Sequence, residues 1–211
     1  MAPDRPLTVV CLHGLGPAGP SVFDEAASRW RGEFDVRVPT FPGIAGEPAV
    51  DRKDYLPSVL ARRVEATVDA ERFAVVGFSW GGVVGARIAP ARLAALVLVD
   101  IGYQSHPGEP PTYEELLERH AGVEFTTPAV AAAATAGVDA EPVRDMLPRL
   151  ADVPILLLVA TVPRVDRRAA DVAAFRALAP HAEVHTLDGA EHDVLGTTPA
   201  AIDLVGAWLR Q

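Results

Sequence analysis

Residues 73–82 read FAVVGFSWGG, and this stretch decides the fold. Its first four residues form a short apolar run typical of a buried strand, and a helix is predicted from Gly82 onward. Residues 77–81 match the pattern G-x-S-x-G, which requires this strand-to-helix context. A sharp turn there projects the Ser79 hydroxyl above the sheet, and side chains at positions 77 and 81 would clash with the neighbouring chain. The N-terminus of the following helix favours negative charge near Ser79, which is therefore a candidate nucleophile.

Short apolar runs alternate with helical patterns along the chain. Strands are predicted over 7–12, 34–38, 73–77, 93–101, 153–160 and 182–187. Helices are predicted over 54–69, after Ser79, over 171–178, and from Thr198-Pro199, where a cap residue precedes proline at the first helical position. The runs 93–101 and 153–160 are apolar on both faces, which is typical of a sheet covered on two sides. The sequence therefore predicts an α/β fold with a single doubly wound, mostly parallel sheet of about six strands flanked by helices.

The stretch 102–151 breaks this rhythm. It begins with Gly, Pro and His residues and then shows two helical patterns, one opened by a capping box at 112–115 and one over Pro128–Ala136. A long insertion on the carboxyl side of a parallel sheet is where a lid over a site would lie, and a solvated excursion is the alternative. We therefore predict one domain over 1–211, with 102–151 as a small helical lid insertion.

Composition excludes several classes of function. The formal net charge of −9 offers nothing to hold nucleic acid or an anionic membrane. The longest apolar run, 153–162, is too short to span a bilayer, and the first residues show no hydrophobic targeting segment, so a cytoplasmic protein is predicted. The single cysteine, Cys11, lies in an apolar run, and the six histidines lack metal-ligand spacing. Neither an intrachain disulfide nor a metal site is expected.

Three short motifs follow one another along the chain. His13-Gly14 follows the first predicted strand, Ser79 lies in the G-x-S-x-G turn, and Gly189-Ala190-Glu191-His192-Asp193 follows the last strand. In these motifs the chain resembles the α/β-hydrolase superfamily, over nearly its whole length. The resemblance implies a serine hydrolase in which the Leu15 and Trp80 amides form an oxyanion hole and His192 is the general base.

The resemblance also implies the reaction and its partners. An ester, thioester or lactone of a small to medium acyl substrate would be cleaved without a metal or an organic cofactor. The expected partner is a small-molecule acyl substrate, with no nucleic acid and no membrane. The family's leading antiparallel strand pair is missing from the predicted elements, which leaves a sheet edge that is either exposed or covered by a partner. The sequence does not reveal an oligomeric state.

The resemblance also implies an acidic residue that orients His192, and here the chain departs from the family pattern. Alignment of the run 153–160 on the family's penultimate strand puts Pro163 where an aspartate is usual. Asp166 lies three residues further along the same loop. Asp100 ends the apolar run 93–99, and some lipases of the superfamily take their acid from that earlier strand. An aspartate closing an apolar strand needs a partner to offset its desolvation, so Asp100 is favoured and Asp166 stays the alternative.

Two other classes of function compete with a hydrolase. Residues 14–19 match G-x-G-x-x-G after a strand, as in dinucleotide-binding proteins. Pro17 removes an amide that a pyrophosphate would need, and Val38-Pro39 stands where an acidic ribose ligand is expected. The second alternative keeps the fold but uses the pocket in a lyase, a cyclase or a ligand-binding protein, because a fold does not fix a function.

Overall fold

The computed structural model describes residues 5–16, 18–101, 110–124, 126–162 and 165–211, without the side chains of 165–169. A six-stranded sheet forms the centre of this part of the chain, and each neighbouring pair of strands is parallel. The strands are β1 (Thr8–Leu12), β2 (Asp35–Arg37), β3 (Phe73–Phe78), β4 (Leu93–Val99), β5 (Ile155–Ala160) and β6 (Glu183–Leu187). Their order is β2-β1-β3-β4-β5-β6. The predicted doubly wound α/β fold is confirmed.

Helices cover both faces of the sheet. The α-helices among the described residues are α1 (Asp24–Trp30), α2 (Pro57–Thr67), α3 (Trp80–Gly85), α4 (Tyr113–Arg119), α5 (Pro128–Ala140), α6 (Val165–Leu178), α7 (Val194–Thr197) and α8 (Pro199–Leu209). Short 3-10 turns lie at Gly19–Phe23, Arg52–Tyr55, Pro90–Arg92, Val143–Asp145 and Leu147–Leu150. In this described part, no helix has both the length and the hydropathy that a membrane crossing needs.

Alternate residues of each central strand serve two separate cores. In β3, Phe73 and Val75 belong to the core under α2 and α5, whereas Ala74 and Val76 belong to the core under α1 and α8. All four are fully buried. A parallel strand that is apolar on both faces stays in place only between two helical layers. This double burial fixes the register of β3 and thus the position of the turn that follows it.

The strand order reverses between β1 and β3. The chain leaves β1 toward β2 on one side and then returns to β3 on the other side. In open α/β sheets, the crevice beyond the carboxyl ends of the strands at such a switch point is where ligands bind. His13 follows β1 and Ser79 follows β3, so both motifs lie at this crevice.

Several predicted helix boundaries were wrong, and two helices, α1 and α7, were missed. Helix α1, with its preceding 3-10 turn, buries Val22, Phe23 and Trp30 at helical spacing, a signal that the sequence does carry. Helix α2 begins at Pro57 rather than at residue 54, because proline suits the first helical turn and a 3-10 turn precedes it. Helix α6 begins at Val165 rather than at 171, and α5 continues to Ala140 rather than 136.

The two predicted caps have different outcomes. At α4, the Glu115 amide donates to Thr112 Oγ1 and the Thr112 amide donates to the Glu115 carboxylate, so the capping box is confirmed. At α8, Thr198 is the N-cap residue but its side chain makes no capping hydrogen bond. Proline does occupy the first helical position there, and its fixed φ is already suited to a helix.

The insertion is fastened to the core at both ends of α5. Before the helix, Thr126 Oγ1 donates to the carbonyl of Gly43 at 2.6 Å. After it, the Glu141 carboxylate accepts from the Ser58 amide at 2.8 Å and from the Ser58 hydroxyl at 2.7 Å. These bonds join 126–141 to α2 and to the loop after β2. Residues 102–109, which the sequence assigned to the lid, lie outside the described part, and the lid itself stays a prediction.

Replacement of Glu141 by Ala should lower the free energy of unfolding by about 1–3 kcal/mol. The partly buried Ser58 amide would lose its acceptor, and an unsatisfied donor of this kind costs about that much. Urea unfolding followed by circular dichroism measures the loss, with Asp152→Ala at an exposed position as the control, which should change stability by less than about 0.5 kcal/mol. Equal stability of the two variants would show that Glu141 does not fasten the insertion.

Candidate active site

Ser79 lies on a strained turn between β3 and α3. Its backbone has φ 51° and ψ −119°, a combination that non-glycine residues rarely adopt. Two backbone hydrogen bonds hold the turn: the Ser79 amide donates to the Val99 carbonyl at 2.9 Å, and the Gly82 amide donates to the Ser79 carbonyl at 3.0 Å. The hydroxyl is therefore presented at the carboxyl edge of the sheet, as the G-x-S-x-G pattern predicts.

The glycines around Ser79 are required by close backbone contacts. A Cβ at Gly77 would lie 2.5 Å from the Cα of Gly82, and one at Gly81 would lie 2.0 Å from the Leu12 carbonyl oxygen. Both positions were predicted from the pattern. Gly82 was not: a Cβ there would lie 2.2 Å from Cγ2 of Ile101. Only the fold reveals that contact, because Ile101 comes from a different strand end.

His192 lies between β6 and α7, next to Ser79. Its Nε2 is 3.1 Å from Ser79 Oγ, and its ring lies 4.9 Å from the Phe78 ring, centroid to centroid. The next residue, Asp193, caps α7 by accepting from the Gly196 amide. This cap fixes the chain immediately after the histidine. The His192 side chain nevertheless remains 54% exposed, so the site is open to solvent on this side.

The structure brings Asp100 to His192. Asp100 directly follows β4, has φ +44° and is 1% exposed. His192 Nδ1 lies 2.5 Å from Asp100 Oδ2, and the Ala160 amide donates to Asp100 Oδ1 at 3.0 Å. These bonds offset the desolvation of the carboxylate. The alternative acid, Asp166, lies in α6 with its side chain outside the described part, and Pro163 is not among the described residues.

The two expected oxyanion donors lie on either side of the switch point. Leu15 follows the turn after β1, and Trp80 is the first residue of α3. A Cβ added to Gly14 would lie 3.0 Å from the Cβ of Ser79, so the turn before Leu15 packs closely against Ser79. Within the described residues, neither backbone amide donates to another protein group. Both are thus free to donate to an oxygen held beside Ser79.

His13 has a structural role in the turn after β1. Its ring is fully buried, and Nε2 accepts from the Phe41 amide at 3.0 Å. Nδ1–H then donates to the Gly14 carbonyl at 2.8 Å, which fixes one neutral tautomer. Burial, opposed by the Gly14 hydrogen bond, lowers the pKa of His13. The imidazole thus ties the turn before Leu15 to the loop after β2.

An aromatic cluster adjoins Trp80. The Phe41 ring lies 4.6 Å from the Trp80 ring and 4.9 Å from the His13 ring, and Tyr55 stacks 6.5 Å from Trp80. Phe41 and Tyr55 were not predicted as part of the site. Nothing local marks them, because they approach Trp80 only through the loop after β2 and the turn before α2.

The remaining histidines lie elsewhere. His120 ends α4 and is within hydrogen-bonding distance of the Thr135 hydroxyl, and burial followed by the nearby Arg119 charge lowers its pKa. His185 lies in β6 beside Glu183, and His181 is exposed before that strand. His106 is outside the described residues. Of the described histidines, only His192 hydrogen-bonds to Ser79.

The comparisons with known proteins agree with this fold. The model of the alpha/beta hydrolase family matches residues 9–203, and the chain belongs to that family. The glycine pattern at 14–19 leads into a 3-10 turn rather than an α-helix, so the dinucleotide hypothesis lacks its structural context. No curated protein matches the sequence at a significant level.

Solved structures with the same fold include two esterases and an enol-lactonase. A thermophilic esterase from Thermogutta terrifontis has a TM-score of 0.76 at 21% identity, over 98% of this chain and 90% of that one. An esterase from Exiguobacterium antarcticum has 0.79 at 14%, over 98% and 93%. The enol-lactonase from Burkholderia xenovorans has 0.77 at 16%, over 99% and 93%. At these identities the likeness concerns the fold.

Replacement of His13 by Gln should make stability less dependent on pH. Because the pKa of His13 is lower in the folded state, the unfolded chain binds more protons below about pH 6.5. The stabilising contribution of the neutral ring is therefore complete above that pH and is lost as the pH falls. Gln keeps an acceptor for the Phe41 amide but does not titrate.

The measurement is the free energy of unfolding by urea at pH 7.5 and at pH 5. The wild type should lose more than His13→Gln over this interval, by at most about 1.4 kcal/mol per pH unit, the limit for one proton. Circular dichroism at neutral pH confirms that the variant is folded. Equal losses in the two proteins would contradict the assignment of a buried neutral ring.

Proposed function

We propose that this protein is a serine hydrolase that cleaves an ester, thioester or lactone of a small to medium acyl substrate. The observation that carries the proposal is one continuous hydrogen-bonded series. Ser79 Oγ lies 3.1 Å from His192 Nε2, and His192 Nδ1 lies 2.5 Å from the buried Asp100 carboxylate. A serine hydroxyl becomes an effective nucleophile when a base, itself oriented by a third group, is in reach of its proton.

Acylation begins with transfer of the Ser79 proton to His192 Nε2. Ser79 Oγ forms a bond to the acyl carbon, and the carbonyl electron pair moves onto oxygen. The Leu15 and Trp80 amides donate to that oxyanion, and the loss of one such donor typically costs about 3–4 kcal/mol of transition-state stabilisation. When the intermediate collapses, the bond to the leaving group breaks, and His192 gives its proton to the departing oxygen or sulfur.

Deacylation uses the same groups with water as the nucleophile. His192 accepts a proton from water while the water oxygen attacks the acyl carbon of the acylated Ser79. The second intermediate then releases the carboxylic acid and returns a proton from His192 to Ser79 Oγ. Asp100 stays ionised throughout. It orients Nδ1–H and stabilises the imidazolium, while the Ala160 amide keeps its other oxygen in place.

The named neighbours support the same class of reaction. Two are esterases and one is an enol-lactonase, and each of these names describes cleavage of an acyl–oxygen bond. Membership of the α/β-hydrolase family agrees with this class but does not select an acyl group. The lyase, cyclase and ligand-binding alternatives predict a protein that does not form an acyl-enzyme on Ser79.

Replacement of Ser79 by Ala should abolish release of nitrophenol from acetyl, butyryl and octanoyl esters. Removal of the nucleophile of such a triad lowers kcat by about a million-fold. A fluorophosphonate should add one label to the wild type, by intact mass, and none to the variant. Turnover retained by Ser79→Ala would contradict the proposal, and so would a wild type that neither turns over nor is labelled.

Replacement of Asp100 by Asn should lower kcat about 10⁴-fold, because the amide would favour the wrong tautomer of His192. Asp166→Asn tests the alternative acid and should leave kcat within about twofold, since Asp100 is the carboxylate that binds His192 Nδ1. Both rates are measured on nitrophenyl acetate at saturating substrate. The reverse ranking of the two variants would assign the acid to Asp166.

A further inference from the structure

The turn at Ser79 divides the carboxyl edge of the sheet into two sides. On one side, His192 lies against Phe78, which belongs to the core under α1 and α8. On the other side, Trp80 lies with Phe41 and Tyr55 in the core under α2 and α5. This inference rests on the proposed function. His192 must protonate the leaving group, so the leaving group lies on the His192 side and the acyl group lies on the Trp80 side.

The Trp80 side is already filled by the protein. The exposed fractions are 3% for Trp80, 3% for Phe41 and 1% for Tyr55. Helix α5 packs beside this cluster, because a Cβ at Gly43 would lie 2.7 Å from Cγ2 of Val130 in α5 and 2.9 Å from the Tyr55 hydroxyl oxygen. An acyl chain that lay on this side would meet the packed rings of this cluster. By contrast, the leaving group meets the half-exposed side chain of His192.

The indole N–H of Trp80 contributes no hydrogen bond to the described residues. Its Nε1 is buried and has no acceptor among them. Trp30 is equally buried at 3% exposure, but its Nε1 donates to the Ile202 carbonyl at 3.3 Å. A buried donor without an acceptor is unfavourable, and a hydrocarbon side chain would avoid that cost. Among the described residues, Trp80 thus contributes the volume of its buried ring to the cluster.

We infer that the Trp80 side chain sets the acyl length that the enzyme accepts, through steric exclusion. The substrates are then esters of short acids, of acetyl or propionyl size, with a larger alcohol that lies on the open His192 side. The Trp80 backbone amide serves the oxyanion and its side chain selects the acyl group. A smaller side chain at position 80 would open space for the acyl group toward Phe41, and the backbone amide of residue 80 would remain.

The experiment compares kcat/KM for nitrophenyl acetate, butyrate and hexanoate in the wild type and in Trp80→Leu. The wild type should prefer acetate to butyrate by at least about tenfold, since one misplaced methylene costs about 10- to 200-fold in a fitted pocket. In Trp80→Leu the butyrate-to-acetate ratio should rise about tenfold or more. Trp80→Phe, which removes less volume, should shift the same ratio in the same direction by a smaller factor.

Trp30→Leu is the matched control. It removes an equally buried tryptophan from the other core, so it reproduces the loss of packing without a change beside Ser79. Its butyrate-to-acetate ratio should equal that of the wild type. The inference is overturned if the wild type shows no preference for acetate, or if both Trp80 variants keep the wild-type ratio while fluorophosphonate still labels Ser79. Absence of both labelling and turnover in the wild type would instead overturn the proposed function, and this inference with it.

Discussion

The approach of α3 to the sheet is the constraint on which the site depends. A Cβ at Gly81 would lie 2.0 Å from the Leu12 carbonyl oxygen, so the backbone of the turn touches the end of β1. This contact places the first helical amide, that of Trp80, beside the turn after β1 that carries Leu15. In the same turn Ser79 has a positive φ, which costs energy that the surrounding packing must supply. The strained serine and the Trp80 amide thus lie in one closely packed turn.

The carboxyl ends of neighbouring parallel strands lie at the same edge of the sheet, and this geometry brings the other residues of the site together. Ser79 follows β3, Asp100 follows β4, and Ala160, whose amide holds the Asp100 carboxylate, ends β5. Because these strands are neighbours, residues far apart in sequence need no long side chains to meet. The Asp100 amide donates to the Leu158 carbonyl, so the ladder between β4 and β5 extends as far as the buried acid. The position of the Asp100 carboxylate is thus held by bonds other than its contact with His192.

The features that the sequence predicts are those encoded within a short stretch of residues. The turn at Ser79 and its two flanking glycines are encoded within five residues, and alternating apolar runs give the six strands. His192 came only from a resemblance. Asp100 could be favoured because a charge at the end of an apolar strand needs a partner, and the structure places it against His192. The start of α6 was missed since its first residues, VDRRAA, carry no apolar stripe.

Contacts that join distant segments left no local signal. Phe41 lies beside Trp80 because His13 accepts its backbone amide, a bond across 28 positions of sequence. Glu141 binds Ser58 across 83 positions and fastens the end of α5 to the start of α2. These two bonds hold the loop and the helix that enclose the aromatic cluster. The shape of the Trp80 side therefore results from tertiary hydrogen bonds at its rim, and periodicity within a single element does not reveal it.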